Sequence, residues 1–271
     1  MTKISAAIIS AIFFTSFTTC VGALPLHTET GNEISASLGL YRYKEPGLMS
    51  LEGYKLGINL EATRVLPDEN FVRGDVRFAF GPVDYSSYST GSAMGNPSLY
   101  MEARGLVGDD WEGDNAVLAF YTGIGYRYLL HDGRGLSCIT IDVCFFGYRR
   151  ESNYLYLPIG VIHRSALEDD ARLVLTLEYD HLLIGKQVSR VSDGGQGHSD
   201  SINTQNKGYG LKASITYDKN KWAIGPYVNY WNIEDSDCIP TYKNGLLVLN
   251  RCVLEPKNNT LEFGIKAGQQ F

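Results

Sequence analysis

Tyr54-Lys55-Leu56-Gly57-Ile58-Asn59-Leu60-Glu61-Ala62 alternates without a break: Tyr54, Leu56, Ile58, Leu60 and Ala62 fall on one side of an extended chain, and Lys55, Asn59, Glu61 and the following Thr63 on the other. A period of two is that of a β-strand, whose successive side chains point to opposite faces. The pattern recurs along the chain. Residues 34–43 set Ile34, Ala36, Leu38 and Leu40 against Ser35, Ser37, Gly39, Tyr41 and Tyr43, and residues 71–84 set Val72, Val76, Phe78 and Phe80 against Arg73, Asp75 and Arg77. Further strands are expected over 98–108, 116–131, 153–166, 171–185, 207–217, 222–232 and 259–271, which makes ten with 51–66.

The connections form a second signal. Those at 67–70, 109–115, 167–170 and 218–221 are short, whereas 86–96, 132–151, 186–206 and 233–257 are long. Only the first hairpin, near 45–50, is short on the long-loop side. Short turns at one end and long loops at the other is the layout of an antiparallel transmembrane barrel with short periplasmic turns and long extracellular loops.

The faces themselves form the third. One is lipid-like, dominated by apolar side chains. The other collects Lys55, Arg73, Arg77, Arg104, Arg127, Arg164, Arg172, Lys212 and Lys266 with Glu61, Asp75, Glu102, Glu178, Asp180 and Glu262. Buried charges must be paired or wetted, and a narrow lumen lined by both signs meets that condition. A soluble sheet would need a second layer over its apolar face, and no amphipathic helix is evident to supply it. The expected fold is therefore all-β, a closed barrel of about ten strands over 24–271.

The 29 glycines and 18 tyrosines among 271 residues suit aromatic girdles and a crowded lumen. Residues 1–23 read as an export leader: Lys3 precedes an uncharged apolar run, and Val21-Gly22-Ala23 offers small residues for cleavage. Cys20 follows Phe17-Thr18-Thr19, a poor match to a lipoprotein box. Beyond it, Cys138, Cys144, Cys238 and Cys252 form two close pairs, which in an exported chain reads as disulfides, local pairing being the simplest of three connectivities. Their spacings are not those of zinc ligands, and no metal or cofactor is expected.

The last residues, Leu261-Glu262-Phe263-Gly264-Ile265-Lys266-Ala267-Gly268-Gln269-Gln270-Phe271, resemble the C-terminal strand of bacterial outer-membrane proteins. Leu261, Phe263, Ile265, Ala267 and Phe271 match that motif, and Gln269 departs from it. The mature chain resembles the broad OmpA-like or porin-like superfamily of outer-membrane β-barrels. The resemblance implies outer-membrane residence and engagement of the barrel-assembly machinery, and assigns no activity.

Two enzyme classes built on small outer-membrane barrels can be set against these residues. Omptin proteases face an aspartate pair toward an aspartate and a histidine near the external rim. Here Asp180 and His181 are adjacent and so point to opposite faces, while Asp109 and Asp110 fall in an expected periplasmic turn. Lipid A deacylases place His and Ser two residues apart. His163 and Ser165 have that spacing, but they approach the short turn at 167–170, on the side away from lipid A. A ten-stranded lumen of tyrosines and paired charges is largely plugged, though a narrow path favouring anions stays open as a reading, because nine basic residues face six acidic ones.

The loops remain. Loop 186–206 is hydrophilic, whereas Ile139, Ile141, Val143, Phe145 and Phe146 bring apolar side chains to a stapled segment. The sequence thus points to a structural or surface-interaction barrel rather than an enzyme. The expected partners are outer-membrane lipid, lipopolysaccharide and a host or surface ligand met through 132–151, 186–206 and 233–257. A net charge of -6 and the absence of phosphate-binding motifs argue against nucleic acid.

Overall fold

The computed structural model describes residues 25–67, 70–113 and 116–271. The leader expected at 1–23, with Cys20, lies outside them, as do Asp68, Glu69, Asp114 and Asn115. The strands in chain order are β1 (Gly31–Glu45), β2 (Met49–Val65), β3 (Phe71–Ser87), β4 (Gly91–Glu112), β5 (Ala116–Asp132), β6 (Leu136–Thr140), β7 (Val143–Phe146), β8 (Arg149–Ala166), β9 (Ala171–Ser189), β10 (Ser201–Gln205), β11 (Gly208–Lys219), β12 (Trp222–Ile233), β13 (Ile239–Lys243), β14 (Leu246–Val253) and β15 (Asn258–Gln270).

Ten of them close a barrel: β1, β2, β3, β4, β5, β8, β9, β11, β12 and β15, each antiparallel to its neighbours. The last returns to the first, pairing from Glu33 with Gln270 to Lys44 with Asn259. Closure removes the unpaired edge, and every wall strand can satisfy its backbone within the sheet, which a bilayer demands. All ten expected strands are present.

The outward rows anticipated by alternation lie on the outer face, exposed or half-exposed. Tyr54, Leu56, Ile58 and Leu60 on β2, Val72, Val76, Phe78 and Phe80 on β3, and Phe263 and Ile265 on β15 belong to one apolar band around the barrel. Nine residues of tilted strand, as from 54 to 62, span the ~25 Å height of such a band.

Inside, two apolar clusters stack along the axis. Tyr41, Tyr43, Tyr100, Tyr154, Tyr156, Trp231 and Ile233 belong to the one nearer the long loops, and Phe71, Leu106, Ala119, Tyr121 and Ile162 form the one nearer the short turns. Room for these rings comes from inward glycines. A Cβ on Gly125 would sit 2.2 Å from the Tyr156 ring, and one on Gly160 would sit 2.1 Å from the Tyr121 ring.

The structure departs from the sequence reading mainly at strand ends. Residues 86–96, expected as a loop, are largely strand: β3 and β4 continue past the band and turn only between Ser87 and Gly91, with a bulge where Gly95 adopts φ +70°. Residues 109–112, expected as turn, extend β4. The three remaining long loops contain β6–β7, β10 and β13–β14. On β9 a bulge at Leu183 shifts the register against β8, so Leu183 and Ile184 both face outward.

Candidate functional site

The fifteen charged residues assigned to the inner face from sequence all lie on the lumen side, in tiers. In the middle, side chains from opposite walls meet. Arg104 on β4 lies 2.9 Å from Asp75 on β3 and 2.6 Å from Glu178 on β9. Lys212 on β11 pairs with Glu102, and lies 3.0 Å from Glu178 and 3.2 Å from Asp180. Arg77 reaches Glu262 at 2.6 Å, and the same carboxylate accepts from the Tyr100 and Tyr227 hydroxyls at 2.5 Å each. Tyr121 and Tyr156 donate to Glu178 and Glu102 at 2.7 Å each. These contacts link opposite walls of the barrel across the lumen.

Two of the fifteen have no ion pair in this tier. Arg127 stacks 5.1 Å from the rings of Tyr100 and Trp231, and Lys55 donates to Ser98 O at 2.6 Å while lying over Tyr41. The remaining members sit at the turn end: Arg73 with Glu61 at 3.0 Å, Arg164 with Asp110 at 3.5 Å and Arg172 with Asp218 at 3.1 Å. Lys266, Glu33 and Gln270 line a cavity of about 610 Å³ at this end, together with Arg73, Glu61, Arg164, Arg172 and Asp218.

Sequence reading missed several charges. Asp110 and Asp218 were given to turns, Glu45 to the first hairpin near 45–50, Arg150 and Glu255 to loops, and Glu33 was left outside the first strand. All face the interior. Their addition, five acids against one base, cancels the basic excess, so the lumen has no charge bias toward anions. The signal was available in parity, since Asp110 continues the inward row of Glu102, Arg104 and Leu106.

At the loop end Arg150 binds both Glu45 and Glu255 and stacks on Tyr43. Burial, opposed by Arg150 and reinforced by Glu45, pushes the Glu255 carboxyl up to about 6. By contrast, hydrogen bonds from Arg149 hold the half-buried Asp193 carboxyl at about 2. Asn203 on β10 donates to Ser236 Oγ at 3.1 Å and Val253 O at 3.0 Å, fixing the base of the last loop.

The two cysteine pairs are disulfides with local connectivity, Cys138–Cys144 across β6–β7 and Cys238–Cys252 across β13–β14. Both hairpins project apolar side chains into solvent: Ile141 is 94% exposed, Leu246 73% and Leu249 76%. Leu136, Ile139, Val143, Phe146, Leu247 and Tyr242 are exposed beside them.

The constellations weighed for catalysis do not assemble. Asp180 is fully buried in the lumen, while His181 faces outward beside Tyr179. Asp110 is engaged by Thr28 at the turn end. His163 and Ser165 share the outer face of β8 close to the turn at 167–170, and their neighbours on β9 are Leu175 and Leu173. Among the described residues no cluster of His, Cys, Asp and Glu could hold a metal ion. The motif residues Leu261, Phe263, Ile265 and Ala267 lie on the outward row of β15, and Phe271 is exposed at the turn end, its backbone exchanging two hydrogen bonds with Asn32.

No protein-family description matches the chain, and no curated protein matches it either. Solved structures do. The outer membrane protease OmpT from Escherichia coli is similar at a TM-score of 0.55 and 11% identity, covering 89% of this chain and 97% of that one. A major outer membrane protein from Thermus thermophilus aligns at 0.39 with 16% identity over 89% and 99% of the two chains. The translocator domain of the autotransporter NalP from Neisseria meningitidis aligns at 0.40 with 11% identity over 90% of each. The likeness to OmpT is one of fold, and the architecture of this chain is that of an outer-membrane β-barrel.

Proposed function

We propose that the chain is an outer-membrane barrel that carries no solute and catalyses no reaction, and that it serves as a rigid scaffold presenting two stapled hairpins to a surface ligand. The carrying observation is the exposure of Ile141, Leu246 and Leu249 on hairpins each closed by a disulfide. Exposed apolar clusters on a soluble surface cost free energy unless a partner covers them, and a staple holds them there. The cross-lumen pairing of Arg104, Glu178, Lys212 and Glu102 supports a closed lumen, because opening it would strand buried charges. The leader at 1–23 and the row ending at Phe271 are read here as the export and assembly signals, and lipopolysaccharide as the surrounding lipid.

The test joins gel mobility to binding. The folded protein should migrate faster unboiled than boiled and give no conductance steps in a planar bilayer. Replacing 137–145 and 239–251 by short Gly/Ser linkers should preserve the gel shift and abolish binding of intact protein to its target cells. Discrete conductance, or binding indifferent to both replacements, would remove the reading. The rival hydrolase reading requires His163→Ala to change lipid A, and no change is expected.

A further inference from the structure

Before β1 begins, Pro25–Thr30 crosses the turn-end mouth of the barrel as a strap, held by groups from four different strands. Arg172 on β9 donates to Pro25 O at 2.6 Å, and Arg164 on β8 donates to Leu26 O at 3.5 Å. Asp110 on β4 accepts from the Thr28 N–H and, at 2.8 Å, from its hydroxyl. The Val65 N–H on β2 donates to Thr30 Oγ1 at 3.0 Å. His27 lies 3.1 Å from Glu112.

Three of these contacts, to Pro25 O, Leu26 O and the Thr28 N–H, address main-chain atoms, which almost any residue could supply. The side chains making them are poorly exposed: 6% for Arg164, 5% for Asp110 and 9% for Arg172. Each arginine keeps an ion pair with the wall, Arg164 with Asp110 and Arg172 with Asp218, while also reaching a carbonyl of the strap. The strap also leaves room. The cavity of about 610 Å³ behind it is lined by Glu33, Glu61, Arg73, Asp218 and Lys266, and its volume falls within the ~300–1,000 Å³ of ordinary ligand sites. Carboxylates and cations in one cavity suit a ligand that offers both amide hydrogens and carbonyls.

We propose that the turn-end vestibule is a binding site for an extended peptide segment, occupied in cis by Pro25–Thr30 and open in trans to a partner's peptide when the strap lifts. This reading is independent of the loop-end surface. A tethered occupant acts at an effective concentration of about millimolar, so a free peptide competes poorly until the strap is released.

The experiment uses the whole mature chain folded in detergent, with the strap released in two ways: by Thr28→Pro, which removes both donors to Asp110, and by deletion of 25–30. The unboiled gel shift reports folding of each. The probes are fluorescein-labelled Pro-Leu-His-Thr-Glu-Thr and a Gly/Ser/Ala peptide of equal length, read by anisotropy. Both probes should bind the released proteins at least tenfold more tightly than the intact one, and Arg172→Ala in the released background should weaken binding at least tenfold. Absence of binding by both folded variants, or binding indifferent to Arg172→Ala, overturns the proposal. Binding of the strap sequence alone also overturns it, because the mouth would then be a dedicated latch.

Discussion

Arg150 on the rim of β8 and Glu255, which the last long loop carries back into the barrel, form a buried ion pair in which the same guanidinium also binds Glu45. The pair fastens residues 234–257 to the wall, and its pH response runs against intuition. Glu255 titrates at about 6 in the folded protein against an ordinary 4.5, so the folded state holds this proton more tightly than the unfolded one. The attachment is therefore strongest below pH 4.5 and loses on the order of 2 kcal/mol as pH rises through 6. Hydrogen exchange over 234–257, corrected for intrinsic rates, should show less frequent opening at pH 5 than at pH 7. More frequent opening at pH 5 would contradict the assignment.

Loop 191–200 should respond the other way. Asp193 is held at about 2 by Arg149, so its contribution is present above the ordinary value of 3.8 and is lost as pH falls through about 2. Asp193→Asn should raise proteolytic nicking between Arg190 and Asp200 at neutral pH while leaving the unboiled gel mobility unchanged. A nicking rate equal to that of the unaltered chain would show that Arg149 does not anchor the loop.

Lys212 is the shared cation of Glu102, Glu178 and Asp180. Lys212→Met keeps most of the volume and removes the charge, leaving those carboxylates short of a partner. Loss of one partner from a buried ionic cluster costs about 3–5 kcal/mol, so the urea midpoint of the gel shift should fall sharply. Leu60→Ala, on the lipid-facing row, should move it far less.

The turn between β11 and β12 places Asn220 at φ +51° and Lys221 at φ +67°. A left-handed conformation costs a side-chain-bearing residue roughly 1–2 kcal/mol, and Asn-Gly is the preferred pair for such a turn. Lys221→Gly is accordingly expected to stabilise the barrel by about 1 kcal/mol in the same urea titration, and a destabilised variant would show that Lys221 holds the mouth in some other way.

The Cys238–Cys252 bridge spans 14 positions in sequence, for which loop entropy accounts for about 3 kcal/mol. Reduction should expose 239–251 to protease without abolishing the unboiled gel shift, since the barrel wall does not depend on the staple. Loss of the shift on reduction would place the bridge inside the barrel's cooperative unit.

What alternation could reveal was decided by lipid contact. Between Val72 and Phe80, or between Leu99 and Val107, one face must be apolar and the other wet, so the pattern is strict and both strand and parity are readable. Beyond the band the outward face of β3 and β4 no longer meets lipid, the pattern relaxes, and Ser86-Ser87 reads as loop although it is strand. The charges missed for the lumen, Asp110, Asp218, Glu45 and Arg150, lie in those relaxed ends. The strap left no periodic trace, because its six residues are held by side chains from distant strands rather than by a ladder.

The overshoot of β3 and β4 has a mechanical consequence. On the turn side β3 begins at Phe71, beside the first band residue, Val72, but on the loop side it runs on through 81–87 before turning back. At about 3.3 Å per residue and a tilt near 40°, that is roughly 15–20 Å of wall standing clear of the lipid. The wall thus stands well above the lipid on the loop side, and the tip joining β3 to β4 lies within reach of a macromolecule that never approaches the bilayer.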